Sequence, residues 1–276
     1  MIAEPKGSLI VDTPSDTFKH LQHELSVQLI ATPRRQFRTC YAHELTGDVA
    51  ARYQMEYDFL PVLKPWINDN GALIIGLLDI STPQNNCEVV EKVMVQLSED
   101  NLIGADAGIL EFLRDADKRP CRLIVAGSAI TGLVSLSDIQ RLPVRASLFA
   151  MITHLEMTMA DAIRRAHNNT NEWMTKLSPQ RITKIHEEMK QSKLNDSFVD
   201  PLLFAQFGDK VTNIRKSEAF AASNTKFEKN MKSAQDLRNR LAHANEFAST
   251  RMDAVAVCGT VRAIDSWIEH LRQWQM

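Results

Sequence analysis

The residues best placed to do chemistry lie close together near the end of the chain, in Leu237-Arg238-Asn239-Arg240-Leu241-Ala242-His243. Arginine grips a phosphate with two parallel donors, histidine moves a proton near neutral pH, and an asparagine between them can orient both. On a helix starting at Asn224, Phe227, Met231, Ala234 and Leu241 fall at about 0°, 40°, 340° and 320° and define one apolar face, and Arg238 falls at about 20°, inside that stripe. A guanidinium there must be paired with an acid, such as Asp161, Glu187 or Glu188, or stand at an interface or a site, because burying it alone is prohibitively costly. Arg238 and His243 point about 140° apart on a straight helix. To meet, they need either a deformed turn at Asn239 or a second helix across a dimer.

These residues need a helical scaffold, and the sequence after residue 145 supplies one. Helical periods run from Arg145 to Ala166, Pro179 to Leu194, Phe198 to Lys216, Asn224 to Ala244 and Ser249 to Trp274. Ser178-Pro179 and Asp200-Pro201 read as N-caps followed by proline in the first turn. Ile264, Trp267, Ile268 and Leu271 form a core stripe at i, i+3, i+4 and i+7. Within this setting the Leu-Arg-Asn-x-Leu-Ala-His segment resembles the signature of HEPN domains, helical bundles that dimerise and frequently act as metal-independent ribonucleases. The resemblance implies that Arg238, Asn239 and His243 are catalytic, with the motifs of two copies facing each other in one cleft and with RNA as substrate. Such cleavage needs a base for the 2′-OH proton, an acid for the 5′-oxygen and a cation for charge on the phosphoryl oxygens. Lys210, Arg215, Lys216, Lys226, Lys229, Lys232, Arg238 and Arg240 outnumber Asp209, Glu218, Glu228 and Asp236, which suits an anionic partner or a plain solvated helix surface.

The first half is of another kind. Residues 1–145 hold eight of the ten Gly and eight of the ten Pro, and carry 14 Lys plus Arg against 19 Asp plus Glu, whereas the remainder carries 18 against 15. The turn-rich half reads as mixed α/β, with a boundary near Leu142-Pro143. Two stretches about 60 residues apart repeat a helix, a strand, a turn and a second strand. The first runs through residues 43–57, Phe59 to Leu63, a turn at Asn68-Asp69-Asn70-Gly71, and Ala72 to Leu78. The second runs through residues 107–119, Cys121 to Val125, a turn at Gly127-Ser128, and Ala129 to Val134.

The second stretch closes with Gly132-Leu133-Val134-Ser135-Leu136-Ser137-Asp138-Ile139, which resembles the end of a CBS domain, a βαββα module that occurs in pairs and often senses adenine nucleotides. The resemblance implies a phosphate near Ser135 and Ser137, ribose hydroxyls on Asp138, and further nucleotide contacts from Ile103, Gly104, Ala105 and Arg122. A helix start at Ser135 would add free N–H groups and the helix dipole, although Ser and Asp there also cap a helix without any ligand. The first stretch departs from the pattern: Asp79 would repel a phosphate, and Thr82 is a poorer ribose acceptor than a carboxylate.

The expected architecture is therefore α+β in two domains: a tandem CBS-like regulatory pair over residues 1–145, with units of about 20–90 and 91–142, then a HEPN-like all-α bundle over 146–276. The expected function is a metal-independent endoribonuclease acting as a homodimer, tuned by a regulatory adenine nucleotide of the AMP, ADP or ATP type. The alternative is a non-catalytic module for nucleotide sensing and dimerisation that binds RNA or a partner protein, and a toxin-like, defence or housekeeping role stays open. No catalytic cofactor is expected. Cys40, Cys87, Cys121 and Cys258 form no C-x-x-C pair, and His20, His23, His43, His154, His167, His186 and His270 show no ligand spacing, so no metal site is assigned. The N-terminal Leu9-Ile10-Val11 is too short for a signal or a membrane span, which leads to an expectation of a cytoplasmic protein without a membrane partner.

Overall fold

A computed structural model describes residues 13–53, 56–65, 72–82, 87–193, 200–217, 224–243 and 245–274. The expected turn at Asn68–Gly71 lies outside them. The chain is mixed α/β, with sheets in its first half and helices after, and forms two compact units. One comprises residues 23–144 and 248–255; the other comprises 145–247, 256–276 and the described part of 1–22.

The strand-rich unit contains β1 (Thr32–Pro33), β2 (Cys40–Tyr41), α2 (Thr46–Tyr53), β3 (Phe59–Pro65), β4 (Ala72–Asp79), α3 (Val90–Val93), β5 (Val95–Gln96), β6 (Leu102–Gly104), α4 (Ile109–Leu113), β7 (Cys121–Ala126) and β8 (Ala129–Ser135), whereas α1 (Pro14–Glu24), which precedes them, belongs through Gln22 to the other unit. Its two four-stranded sheets have the orders β2-β3-β4-β5 and β6-β7-β8-β1. In each, a short strand pairs parallel with a hairpin whose far side takes an antiparallel strand.

The repetition extends to single hydrogen bonds. Ala42 N–H donates to Leu63 at 3.0 Å and Ala105 N–H to Val125 at 2.9 Å. Likewise Val90 donates to Glu44 at 2.9 Å and Val27 to Ala107 at 2.8 Å. The second pair of bonds shows that each repeat sends its first segment across to the other: β1 adds to β8, and β5 adds to β4.

That exchange explains the glycine in each closing strand. Gly76 lies opposite Gln96 and Gly132 opposite Pro33. A Cβ on Gly76 would come within 2.4 Å of the Val95 carbonyl oxygen, and one on Gly132 within 3.1 Å of the Thr32 oxygen. Between the sheets, Ile74, Leu77, Cys121 and Leu123 pack with Phe37, Phe59, Leu63 and Leu133. The other face of the first sheet buries Leu60, Val62, Leu78 and Ile80 with Val49 and Val90. A register shift at Val62/Leu63 and another at Ile124/Val125 break strict alternation at corresponding places.

The helical unit is built from α5 (Leu142–Ala166), α6 (Pro179–Lys193), α7 (Phe207–Arg215), α8 (Asn224–Ala242) and α9 (Arg251–Gln273). The α5 helix begins three residues before the expected Arg145, because Pro143 fits the first turn, where its missing N–H costs nothing. The continuous helix expected over Phe198–Lys216 is instead a 3-10 turn at Pro201–Leu203, capped by Asp200, followed by α7. The α9 stripe Ile264, Trp267, Ile268 and Leu271 is buried, and Trp267 meets Phe227 of α8 edge-on at 4.9 Å. Arg165 of α5 donates to the Leu271 carbonyl at 2.8 Å, satisfying an open acceptor near the end of α9.

Replacing Gly76 by Ala drives a Cβ into backbone that cannot swing away, so Gly76→Ala should lower unfolding stability by roughly 1–3 kcal/mol in urea titrations, with Gly132→Ala milder.

Candidate functional site

The α8 helix runs unbroken through Asn239 and ends at Ala242, where the His243 N–H still donates to the Asn239 carbonyl at 3.1 Å. Asn239 and His243 are exposed, and the Arg238 side chain is 41% exposed. Sequence periodicity put Arg238 inside the apolar stripe. In the structure Leu237 is buried with Phe227, Met231, Ala234 and Leu241, widening the stripe on the side away from Arg238 and leaving Arg238 on its flank. Its acid partner is Glu156 of α5, 3.9 Å away, and not one of the three expected acids. Asp161 instead pairs with Arg164 at 2.6 Å, and Glu188 with Lys184 at 4.0 Å.

Glu156 is shared. Its Oε1 accepts from the buried Lys210 ammonium at 2.8 Å, and Lys210 also donates to the Ala205 carbonyl at 2.8 Å. The closer bond is therefore Lys210's, and the longer contact leaves Arg238 able to meet another anion.

The neighbouring cations divide in the same way. Arg215 pairs with Glu228 at 3.1 Å, and Lys216 donates to the Lys176 carbonyl at 2.6 Å. Arg240 Nε donates to the Glu246 carbonyl at 3.0 Å, whereas Lys226, Lys229 and Lys232 face solvent.

Arg145 fixes the end of α8. Its guanidinium donates to the carbonyls of Arg240, Leu241 and Asn245 at 3.3, 2.7 and 2.6 Å and lies 5.0 Å from the Phe247 ring. Two carbonyls of the last turn of α8 and one just beyond it thus share one cation, which also suits the negative end of the helix dipole. The sequence marked Arg145 only as a helix start, since nothing local links it to a segment almost a hundred residues later.

In the strand-rich unit, Ile103 and Gly104 lie on β6, Ala105 directly follows it, Arg122 lies on β7, and Ser135 ends β8. The element after Ser135 is a five-residue 3-10 turn, Leu136–Gln140, so the expected helix dipole has little length over which to build. Asp138 is buried and accepts from the Ser135 N–H at 2.7 Å and from its hydroxyl at 3.1 Å, while Arg141 Nε reaches the other carboxylate oxygen at 2.8 Å. Burial is the largest influence on this carboxyl and raises its pKa against the pull of Ser135 and Arg141. Ser137 is exposed, and its hydroxyl lies 2.7 Å from that of Ser135.

Arg122 is buried, pairs with Asp115 and lies 5.6 Å from the Phe112 ring, while its Nε has no partner among the described residues. Arg141 and Asp115 were both missed from sequence. Arg141, three residues after Asp138, had a readable spacing, whereas Asp115 reaches Arg122 only through the fold. In the first repeat, Asp79 accepts from the Ser81 N–H and hydroxyl at 2.9 and 2.6 Å, and Thr82 is exposed.

Other chemistries find less support. Cys40, Cys121 and Cys258 are buried, and burial pushes the Cys40 thiol up to about 12, far from a thiolate nucleophile. Among the described residues no group of three or more His, Cys, Asp and Glu could hold a metal ion, and no helix is long and apolar enough to cross a membrane.

No protein-family model matches the chain, and no curated protein does. Its structural neighbours include CBS domains that cover about half of it. The CBS domain of the bacterial CNNM/CorC family Mg2+ transporter, in complex with ATP, is 18% identical with a TM-score of 0.34, over 46% of this chain and 94% of that one. The CBS domains of a transcriptional regulator from Streptococcus pneumoniae are 13% identical with a TM-score of 0.34, over 41% and 95%. A hemolysin-like CBS protein of Oenococcus oeni is 14% identical with a TM-score of 0.33, over 44% and 94%.

Removing the arginine that holds the end of α8 should loosen the segment carrying His243. Arg145→Ala is expected to lose about 2 kcal/mol of stability, from hydrogen bonds made by a charged donor, and to speed amide exchange over residues 240–247 before other parts of α8.

Proposed function

We propose that the chain is a metal-independent endoribonuclease acting as a homodimer, with Arg238, Asn239 and His243 of both copies lining one cleft. The observation that carries this reading is the placement of all three side chains at the end of one helix, Asn239 and His243 exposed and Arg238 half-buried, where among the described residues Arg238 keeps only a long contact to a carboxylate already bound by Lys210. Because α8 continues helically through Asn239, a deformed turn does not bring Arg238 towards His243. The dimer alternative supplies the missing geometry.

In the proposed reaction, His243 of one copy takes the 2′-OH proton as that oxygen attacks phosphorus. Arg238 holds the charge building on the phosphoryl oxygens, and the second copy's His243, protonated, gives its proton to the departing 5′-oxygen. The products are a 2′,3′-cyclic phosphate and a 5′-hydroxyl, and proton exchange with water restores both imidazoles. Asn239 orients the reacting groups.

The strand-rich unit is proposed to be a tandem CBS pair that binds a regulatory adenine nucleotide of the AMP, ADP or ATP type at Ile103, Gly104, Ala105, Arg122, Ser135, Ser137 and Asp138. Its strand exchange and the Ser135-Ser137-Asp138 cluster support this role. Asp138 already accepts from Ser135 and Arg141, so a ribose hydroxyl would join or displace bonds of a local capping box. The alternative, a non-catalytic sensing and dimerisation module that binds RNA or a partner protein, draws support from the Arg238–Glu156 pair, which a purely structural arginine would also make.

Purified protein incubated in EDTA with mixed-sequence RNA should yield fragments ending in 2′,3′-cyclic phosphate. His243→Ala should cut at least a hundredfold more slowly with unchanged circular dichroism; equal cutting by the variant would overturn the assignment. Thermal unfolding provides the nucleotide test. At about 100 times its Kd a bound adenine nucleotide should add roughly 2.7 kcal/mol, and Asp138→Ala should show no rise in Tm.

A further inference from the structure

His154 is buried in the middle of α5. Its ring stacks on Phe18 of α1, with centroids 4.5 Å apart and planes 12° from parallel. From α9, an Arg272 guanidinium nitrogen reaches His154 Nε2 at 2.8 Å, and the same nitrogen donates to the Ser15 hydroxyl of α1 at 2.6 Å. A guanidinium can only donate. Nε2 must therefore carry a lone pair, which makes the ring neutral and places its hydrogen on Nδ1, an atom buried without a partner among the described residues.

We propose that His154, Arg272, Phe18 and Ser15 form a proton-sensitive latch that docks α1 against α5 and α9 near neutral pH and releases it in mildly acidic solution. A proton on Nε2 turns the acceptor into a donor and sets two cations 2.8 Å apart. Arg272 must then leave, and its bond to Ser15 goes with it. The charged ring would keep the Phe18 face, yet both of its N–H groups would be buried without an acceptor.

The charges around the ring give the direction. Burial and then the Arg272 charge hold the imidazole below its ordinary range, while Asp161 of α5 opposes them. Asp161 is already engaged by Arg164. On α1, Asp16 pairs with Lys19 at 3.8 Å, and His20 and His23 are exposed. On α9, His270 Nδ1 lies 3.1 Å from the Ser266 carbonyl oxygen, and Glu269 accepts from Gln273 at 2.7 Å.

With the pKa lower in the docked state than in the released one, docking is at full strength above about 6.5 and weakens below it. It falls up to tenfold per pH unit until the docked ring itself takes a proton. The latch does not depend on any chemistry at Arg238 or His243.

Hydrogen exchange of the full chain tests it, read at the amides of residues 15–24 between pH 7.5 and 5 and corrected for the intrinsic rate. The protection of α1 should fall about tenfold per unit below pH 6.5, while α8 and the strands β7 and β8 keep theirs. His154→Gln, which still offers Arg272 an oxygen acceptor but cannot titrate, should abolish the slope, and His20→Gln with His23→Gln should preserve it. A pH-independent α1 in the wild type, an unchanged slope in His154→Gln, or loss of protection throughout the chain with the same slope would each overturn the latch. Should His154→Gln fail to fold, nitrogen chemical shifts of wild-type His154 decide: the Nδ1–H tautomer with a midpoint below 6.5 is expected, and a midpoint at or above it refutes the proposal.

Discussion

Each sheet of the strand-rich unit is completed by a strand from the other repeat, and the rest of that unit depends on this exchange. β1 and β5 are only two residues long, too short to persist outside a sheet, so each exists because a hairpin edge receives it. The receiving edge must allow close approach of backbone, which is why glycine stands at both Gly76 and Gly132. Cutting the chain between the repeats would leave each with an unfilled edge and an orphan strand, so the two halves are expected to fold together.

In the helical unit, the internal charges serve the ends of helices and one another. Arg145 and Arg165, both on α5, occupy carbonyls near the ends of α8 and α9, and Arg181 of α6 holds Asp209, whose carboxylate also caps the start of α7. In the Lys210–Glu156 pair the ammonium is buried and the carboxylate half-buried, so removing Glu156 strands the Lys210 charge. Arg238 touches this pair from its rim. Its exposure follows from Leu237 filling the stripe instead of it, so the residue most suited to phosphate is the one the core does not need.

The candidate nucleotide residues show how one set of side chains can answer to two demands. Ser135 and Asp138 satisfy each other in a capping box, and Arg141 neutralises the carboxylate while its guanidinium also reaches Thr32 of the exchanged β1 at 3.3 Å. A ligand that draws Asp138 away would therefore act on the same arginine that touches the exchanged strand.

Much of the organisation was legible in the sequence because it is set by local rules. The hairpin strands, the two-residue turn at Gly127-Ser128 with Gly127 at φ 59°, the Asp200-Pro201 cap and the α9 stripe all follow from residue type and period. That Arg238, Asn239 and His243 stand together at the end of one helix could likewise be read from the local helical period. What the sequence could not decide were relations between distant segments: that β1 and β5 cross to the opposite repeat, that Arg238 meets Glu156 and not Asp161, and that Arg145 fastens the end of α8. Local pattern fixes which face of an element is apolar, because periodicity is a property of one segment. Which charged partner lies across from it depends on how segments far apart in the chain pack, and that is settled only when the tertiary structure forms.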